Sequence, residues 1–446
     1  MNRRGVLATL GVALSGGCLD TTRSPSDSPT EFDRPAYAEG FRPHGPWEAN
    51  RYDSAGSGHN PESRLPTGDV DGAWRRSLDG SIDPRAIPVT DDRHLYVGHQ
   101  RPTDDGPQGV VTALEGKTGT QEWTTVLEIP TGGDGDTSAA DTSGRPRART
   151  WDTVGGLTRD GDTIYVTGHS RQYEVVLLAA LERDGGTVDW QVSVPGTEYR
   201  APVTDANGVS LAFGRETSSD GEPPVNALYA FSHGGSERWH HRFGTAIPAG
   251  NACADGVVYT RLDDGRIVAL ESDGGTVRWE RTLETGETTR DGRDDHLAVD
   301  GDRLYVSAGG RLSALSREDG SILWSLDSEA SVRPLGPLVR REGTIYVGAG
   351  NVLVAIDSAD GTERWRLEDA PVHGSLVGVA DGLVGASGTT VTGFDLDGER
   401  RWSLDLREDS TGDTIDELDS RILSAHDLVY VPFIDGYVSA LGAPTS

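Results

Sequence analysis

Val354-Ala355-Ile356-Asp357-Ser358-Ala359-Asp360-Gly361-Thr362-Glu363-Arg364-Trp365 decides the fold. An apolar, β-branched run leads to a tight turn at Asp360-Gly361, and a second strand follows that carries one Trp. The chain repeats this frame. Ala is followed six residues on by Gly and four further by Trp in Ala113–Trp123, Ala180–Trp190, Ala269–Trp279 and Ala314–Trp324. Ala230–Trp239 and Gly393–Trp402 are one residue shorter. Self-similarity at such a period is the mark of a repeat architecture, and reading it comes before any local assignment.

Between the Trp strands a second signature recurs: an Asp/Gly turn and then a strand with Tyr. It reads Asp300-Gly-Asp-Arg-Leu-Tyr-Val306, Asp160-Gly-Asp-Thr-Ile-Tyr-Val166 and Arg341-Glu-Gly-Thr-Ile-Tyr-Val347. Its first copy is Asp91–Val97 and its last is His426–Val431. Each period is four short strands joined by hairpin turns, which is one blade of a β-propeller. The Trp strands fall at Trp74, Trp123, Trp190, Trp239, Trp279, Trp324, Trp365 and Trp402. Trp74 has no inner strands before it, and Ile422–Leu441 has inner strands but no Trp after it. The N-terminal strand is therefore expected to complete the last blade. The predicted fold is all-β, an eight-bladed propeller closed on itself, with no open end to invite aggregation. The Trp residues are read as structural: each fills the gap between blades, Ala leaves room for it, and Gly supplies the turn.

Length and composition agree. The 446 residues suit one large array, and 59 glycines suit many tight turns. The net charge is −30. Lys117 is the only lysine among 41 basic residues. Acid excess with Arg in place of Lys suggests a surface for very high salt, where the Debye length is about 3 Å and self-repulsion is screened. No basic stripe is present to neutralise phosphates, so no nucleic-acid partner is expected.

Residues 1–18 read as an export signal outside the fold: Arg3-Arg4, a short apolar run Val6–Leu14, then Leu14-Ser15-Gly16-Gly17-Cys18. The order resembles twin-arginine-exported lipoproteins of the haloarchaeal type. That resemblance implies cleavage before Cys18 and a lipid on it. Residues 19–40, rich in Ser, Thr, Asp and Pro, are expected to be a disordered tether, and 41–446 the propeller. Phe41–Pro66 reads as an irregular lead-in lying over the domain. Pro130–Thr150 reads as a long loop on one face.

The Ala-x-Asp/Glu-x-x-x-Gly-x-x-x-Trp frame resembles the tryptophan-docking repeat of quinoprotein-type (PQQ-like) propellers, over about residues 45 to 442. That family holds alcohol dehydrogenases and also non-catalytic, BamB-like lipoproteins. The lipobox and the lack of added domains resemble the second branch. The dehydrogenases carry a vicinal disulfide over the cofactor. Here the two cysteines are Cys18 and Cys253, far apart, and Cys253 reads as a buried, inert thiol. No cofactor is predicted. PQQ with Ca²⁺ belongs to the alternative reading, a quinoprotein oxidoreductase, in which Trp151 is a possible stacking platform. A solute-binding or sensor lipoprotein is a third reading. No catalytic residue or metal ligand is assigned. Glu115-Gly116-Lys117-Thr118 lacks the first P-loop glycine, and Asp395-Leu-Asp397-Gly398 is the repeat's own turn rather than a calcium loop.

The segments just before the innermost strands are expected to line the channel mouth. They hold Arg85, Trp151-Asp152, Tyr199-Arg200, Asp294-Asp295-His296, Arg333, His373 and Arg421. Positive charge gathered there in an acidic protein suggests docking of an anion, a carbohydrate-like ligand or an acidic peptide. The leading expectation is a monomeric, lipid-anchored scaffold on the outer face of the cell membrane. Its expected partners are other cell-envelope proteins.

Overall fold

The computed structural model describes residues 48–49, 51–84, 86–129, 150–214, 226–247, 250–284, 296–327, 337–373, 375–408 and 421–443. They form eight antiparallel sheets in a ring. The innermost strands of blades 1 to 8, in order, are Val89–Thr90, Thr153–Asp160, Val203–Asp205, Ala252–Ala254, His296–Asp300, Leu338–Arg341, Ser375–Val379 and Leu423–Ala425. Each blade runs outward by hairpins to its Trp strand. Asp71–Ser77 pairs antiparallel with Tyr437–Gly442 and supplies the outer strand of blade 8. The ring is closed as the sequence implies. No helix among the described residues is long and apolar enough to cross a membrane.

The repeat residues meet in one construction. Trp sits directly across from its Ala, as in Ala355↔Trp365, and across from Gly393 in blade 7. In every outer strand the register slips at the residue before the Trp. This bulge re-aims the indole toward the next blade. There its N–H donates to a turn carbonyl: Trp74 to Gly116 (2.8 Å), Trp123 to Arg183 (3.1 Å), Trp190 to His233 (2.7 Å) and Trp239 to Ser272 (2.9 Å). Trp279, Trp324 and Trp365 do the same to Arg317, Ser358 and Leu396. The signature Tyr of the same blade packs on the Trp, with Tyr305 and Trp324 ring centres 6.1 Å apart. Trp402 departs from the pattern. In blade 8 the third and fourth strands, Tyr437–Gly442 and Asp71–Ser77, are far apart in the chain and share no turn to dock on, and the buried Trp402 N–H finds no partner among the described residues.

The turn glycine has two duties. Gly361 has φ of 80°, which L side chains rarely adopt. A Cβ there would also lie 2.9 Å from Trp324. The indole of one blade rests on the glycine of the next. Cores of Val, Leu, Ile and Ala fill the space between blades, and Cys253 is buried among them as a free thiol.

Candidate functional site at the propeller axis

The innermost strand of a blade leaves a row of N–H groups facing the axis, and buried donors of this kind need acceptors. Residues 48–65 supply them. The segment is short of apolar residues and rich in Gly, Ser and Asn, so it bends freely. Asp53 fixes its central turn by accepting from Ser57 N (2.9 Å) and Ser57 Oγ (2.8 Å). Gly56 and Gly58, at φ of 73° and 64°, allow the close approach.

The segment forms a strap around the inside of the ring. Arg159 N donates to Glu48 O (2.6 Å), Cys253 N to Ser54 O (2.6 Å) and Val299 N to Ala55 O (2.8 Å). Arg340 N donates to Ser57 O and Gly378 N to Gly58 O, both at 2.8 Å. Thr204 N reaches Ser54 Oγ at 3.0 Å. His59–Asn60 pairs parallel with the innermost strand of blade 7. Asn60 Nδ2 donates to Ser424 O at 2.9 Å in blade 8. Each blade partner is the penultimate residue of its innermost strand. One level of the ring is therefore stitched from blade 2 to blade 8. Blade 1 joins through Arg159, whose Nε donates to Thr90 O (3.0 Å) while its guanidinium pairs with Glu48.

Above this level stand His296, Arg421 and the side chain of Arg51. His296 and Arg421 sit three residues before Val299 and Ser424 in the frame shared by their blades. That is about 10 Å along the strand, at some 3.3 Å per residue. Arg51 leaves the strap and reaches up between these levels, where its Nη2 donates to Leu338 O. Its Nε is buried without a partner among the described residues. Burial first, and then Arg421, push its pKa down to about 9, with Asp53 opposing. His296 is buried. Burial first, then Arg51 and Arg421, hold its imidazole well below the ordinary histidine value, so it is neutral at pH 7. Its ring nitrogens make no hydrogen bond among the described residues, and neither it nor Arg51 forms an ion pair there. In neighbouring blade 4, both carboxamide atoms of Asn251 are buried and unbonded among the described residues.

The other mouth residues stand elsewhere. Trp151 is 0% exposed. It is wedged between blades 1 and 2, where a Cβ on Gly109 would meet it at 2.8 Å and one on Gly168 at 2.6 Å. Its ring has no free face, which corrects the expectation of a stacking platform. Tyr199 is likewise buried, its hydroxyl 3.1 Å from Thr153 Oγ, and packs between blades instead of lining the mouth. Arg200 is engaged locally, donating to Tyr199 O at 2.9 Å and lying 3.9 Å from Glu198. His373 is exposed at the approach to blade 7. Arg85, Arg333, Asp294, Asp295 and Cys18 lie outside the described residues. His296 and Arg421 precede the innermost strands of blades 5 and 8, and Arg51, which the sequence reading did not single out, reaches Leu338 O in blade 6. No hydrophobic period marks the strap, and only an Arg within a Gly/Ser/Asn run hinted at it.

These residues do not fit a bound quinone with its metal. Trp151 offers no stacking face, and among the described residues no three His, Cys, Asp or Glu side chains converge as metal ligands.

A propeller with this docked-Trp repeat defines a class, and the chain belongs to the PQQ-like β-propeller family. Within it, a family model described as outer membrane protein assembly factor BamB matches residues 225–340 and 333–445. BamB of Yersinia pestis is 28% identical over 247 residues, 51% of this chain and 56% of that protein. BamB of Moranella endobia is 25% identical over 223 residues, 49% and 52% respectively. The chain thus spans about half the length of the curated relatives it matches. Among solved structures, BamB from Moraxella catarrhalis superposes with TM-score 0.55 at 15% identity, over 85% of this chain and 99% of that one. The quinohemoprotein alcohol dehydrogenase of Comamonas testosteroni gives 0.63 at 14%, over 90% and 81%. At such identities these likenesses show the fold alone.

Proposed function

We propose that this chain is an extracytoplasmic, lipid-anchored propeller that acts as a non-catalytic scaffold for other cell-envelope proteins. The observation that carries the reading is the stitched axis. Strap and inner strands are bonded into one rigid ring, Trp151 is sealed between blades, and the loop faces and rim are left as the surfaces for contact. The similarity to assembly factors named for the outer membrane supports an envelope role. Arg3-Arg4 and the Leu14–Cys18 run support export and anchoring through Cys18. The partner is not carried over from those relatives; the chemistry offered is a rigid, acidic ring tethered at a membrane.

The test uses the full-length chain in its own cells. Wild type is expected in the membrane fraction, with Cys18→Ala released, and in-cell crosslinking is expected to give a discrete adduct with an envelope protein. Wild type recovered wholly in the soluble fraction removes the anchor. Calorimetric titration with PQQ and Ca²⁺ in high salt is the second arm. Micromolar binding with alcohol-dependent dye reduction overturns the non-catalytic assignment and restores the oxidoreductase.

A further inference from the structure

We propose that the outer edge of blade 5, with the cavity beside it, is a docking site for an extended segment of an envelope protein that carries alternate apolar side chains and a lysine or arginine. Four large apolar residues are exposed among the described residues: Val277, Ile322, Leu323 and Ile434. Three of them fall together. Val277 pairs with Leu270, and Ile322 with Leu315, at the same place in blades 4 and 5. The residue after each is the extra one of the bulge, Arg278 and Leu323, and these two line one cavity of about 420 Å³. Asp302, Arg317 and Glu318 also line it. Exposed apolar residues scattered singly need no explanation, but a group of them around a cavity points to a contact surface.

The strand that borders the cavity is the outer one of blade 5, Ile322–Asp327, and no strand among the described residues pairs with its outer edge. Such an edge offers a row of N–H and C=O groups to another chain, and charged side chains are the usual guard against it. Every other outer strand sets a charged residue next to its Trp, as at Glu122, Asp189 and Arg364. In blade 5 Trp324 stands between Leu323 and Ser325, and the strand has no charge before Asp327. Trp324 and Leu326 pack into the core between blades 5 and 6, whereas Ile322 and Leu323 are 40% and 46% exposed. Main-chain pairing would supply affinity, and these two side chains the apolar contact, as where a sheet takes up an extra strand.

Charge sets the chemistry of the partner. Both arginines of the cavity are committed: Arg278 lies 2.7 Å from Glu271, and Arg317 is 2.9 Å from both Asp255 and Tyr259 Oη. Glu318 forms no ion pair among the described residues, and Asp302 is 3.5 Å from Arg303. The free charge is therefore acidic and calls for a basic residue. A second copy of this chain brings the opposite, the same acidic cavity on a chain of net charge −30. The envelope source of the segment rests on the scaffold reading. The edge is tested apart from it, since a peptide can fail to bind while membrane attachment and crosslinking stand, and the reverse.

The purified full-length protein, at the lowest KCl concentration that keeps it folded, is titrated with the fluorescein-labelled peptide Lys-Val-Thr-Val-Thr-Val-Lys and followed by anisotropy. Saturable binding is expected, with hydrogen exchange slowed at the amides of Leu323–Leu326. Leu323→Lys and Ile322→Lys should each weaken it about tenfold or more. Ile434→Lys, at the fourth exposed apolar residue, should leave it unchanged. Glu318→Gln should weaken it about two- to fivefold, the worth of an exposed ion pair, and the peptide with glutamates in place of its lysines should bind more weakly still. Absence of saturable binding overturns the site, as does binding that neither Leu323→Lys nor Ile322→Lys reduces, or exchange slowed at the edge of another blade instead. Equal affinity for the two peptides overturns the basic partner. If the wild type sediments as a dimer that Leu323→Lys dissociates, the occupant is a second copy and the proposal falls.

Discussion

Gly361→Ala separates the two duties of the turn glycine. The first is conformational: at φ of 80° an alanine costs about 1–2 kcal/mol. The second is steric: the new Cβ would stand 2.9 Å from both Cδ2 and Cε3 of Trp324, so the indole must withdraw. Displacing a packed ring costs about 1–3 kcal/mol and strains its 3.1 Å bond to Ser358 O. The sum expected for Gly361→Ala is about 2–5 kcal/mol. Trp324→Ala alone removes the ring and leaves a gap beside Tyr305, at about 3–5 kcal/mol. In the double variant the clash is gone, and only the φ cost should add. The two changes are therefore expected to couple by about 1–3 kcal/mol, with the double variant more stable than the sum. Urea unfolding followed by far-UV circular dichroism reads all four proteins without relying on the lost indole. Additivity to within about 0.5 kcal/mol would refute the docking argument and leave φ as the glycine's sole requirement.

Other consequences follow from the same geometry. Asp91 accepts from Tyr96 Oη (2.6 Å), His94 N (2.6 Å) and Arg93 N (2.7 Å), so Asp91→Asn should cost about 3–5 kcal/mol in urea unfolding; a loss under about 1 kcal/mol contradicts the network. Acid should destabilise the fold through two histidines, the buried His99 and the half-buried His59: burial, then Arg101, push His99 down to about 4, and burial, then Arg341, do the same to His59. The unfolded chain takes up these protons near pH 6.5 and the folded one only near 4, so stability is complete above 6.5 and falls toward 4. His99 alone accounts for up to about 3 kcal/mol of that fall. His99→Gln should flatten that part of the profile, and an unchanged slope would count against it. Asn60→Ala removes the strap's buried bond to Ser424 O and should cost about 1–3 kcal/mol, with faster amide exchange at Gly378 and Arg340; unchanged exchange would mean the strap does not act as a unit.

The propeller was legible because its determinants are local and repeated. Ala113, Gly119 and Trp123 stand in the frame of Ala355, Gly361 and Trp365, and Trp74 without inner strands pointed to closure. The bulge beside each Trp was not legible, since a register slip changes pairing without changing residue type. Trp151 and Tyr199 misled for a definable reason. An aromatic ahead of an inner strand reads equally as a mouth residue or as filler between blades, and small neighbours decide. Gly109, Gly155 and Gly168 leave the spaces that these two rings fill.

The strap shows the complementary limit. Its bonds to the ring run mainly through backbone carbonyls and hydroxyls, so Glu48–Leu65 carries no apolar period and its role cannot be seen in composition. What the structure adds is a difference between two arginines. Arg159 belongs to the ring and is satisfied by the strap; Arg51 belongs to the strap and is not satisfied by the ring. Its bond to Leu338 O ties the strap to blade 6 by a side chain, where Thr204, Cys253, Val299 and Gly378 tie it by their own backbone N–H groups.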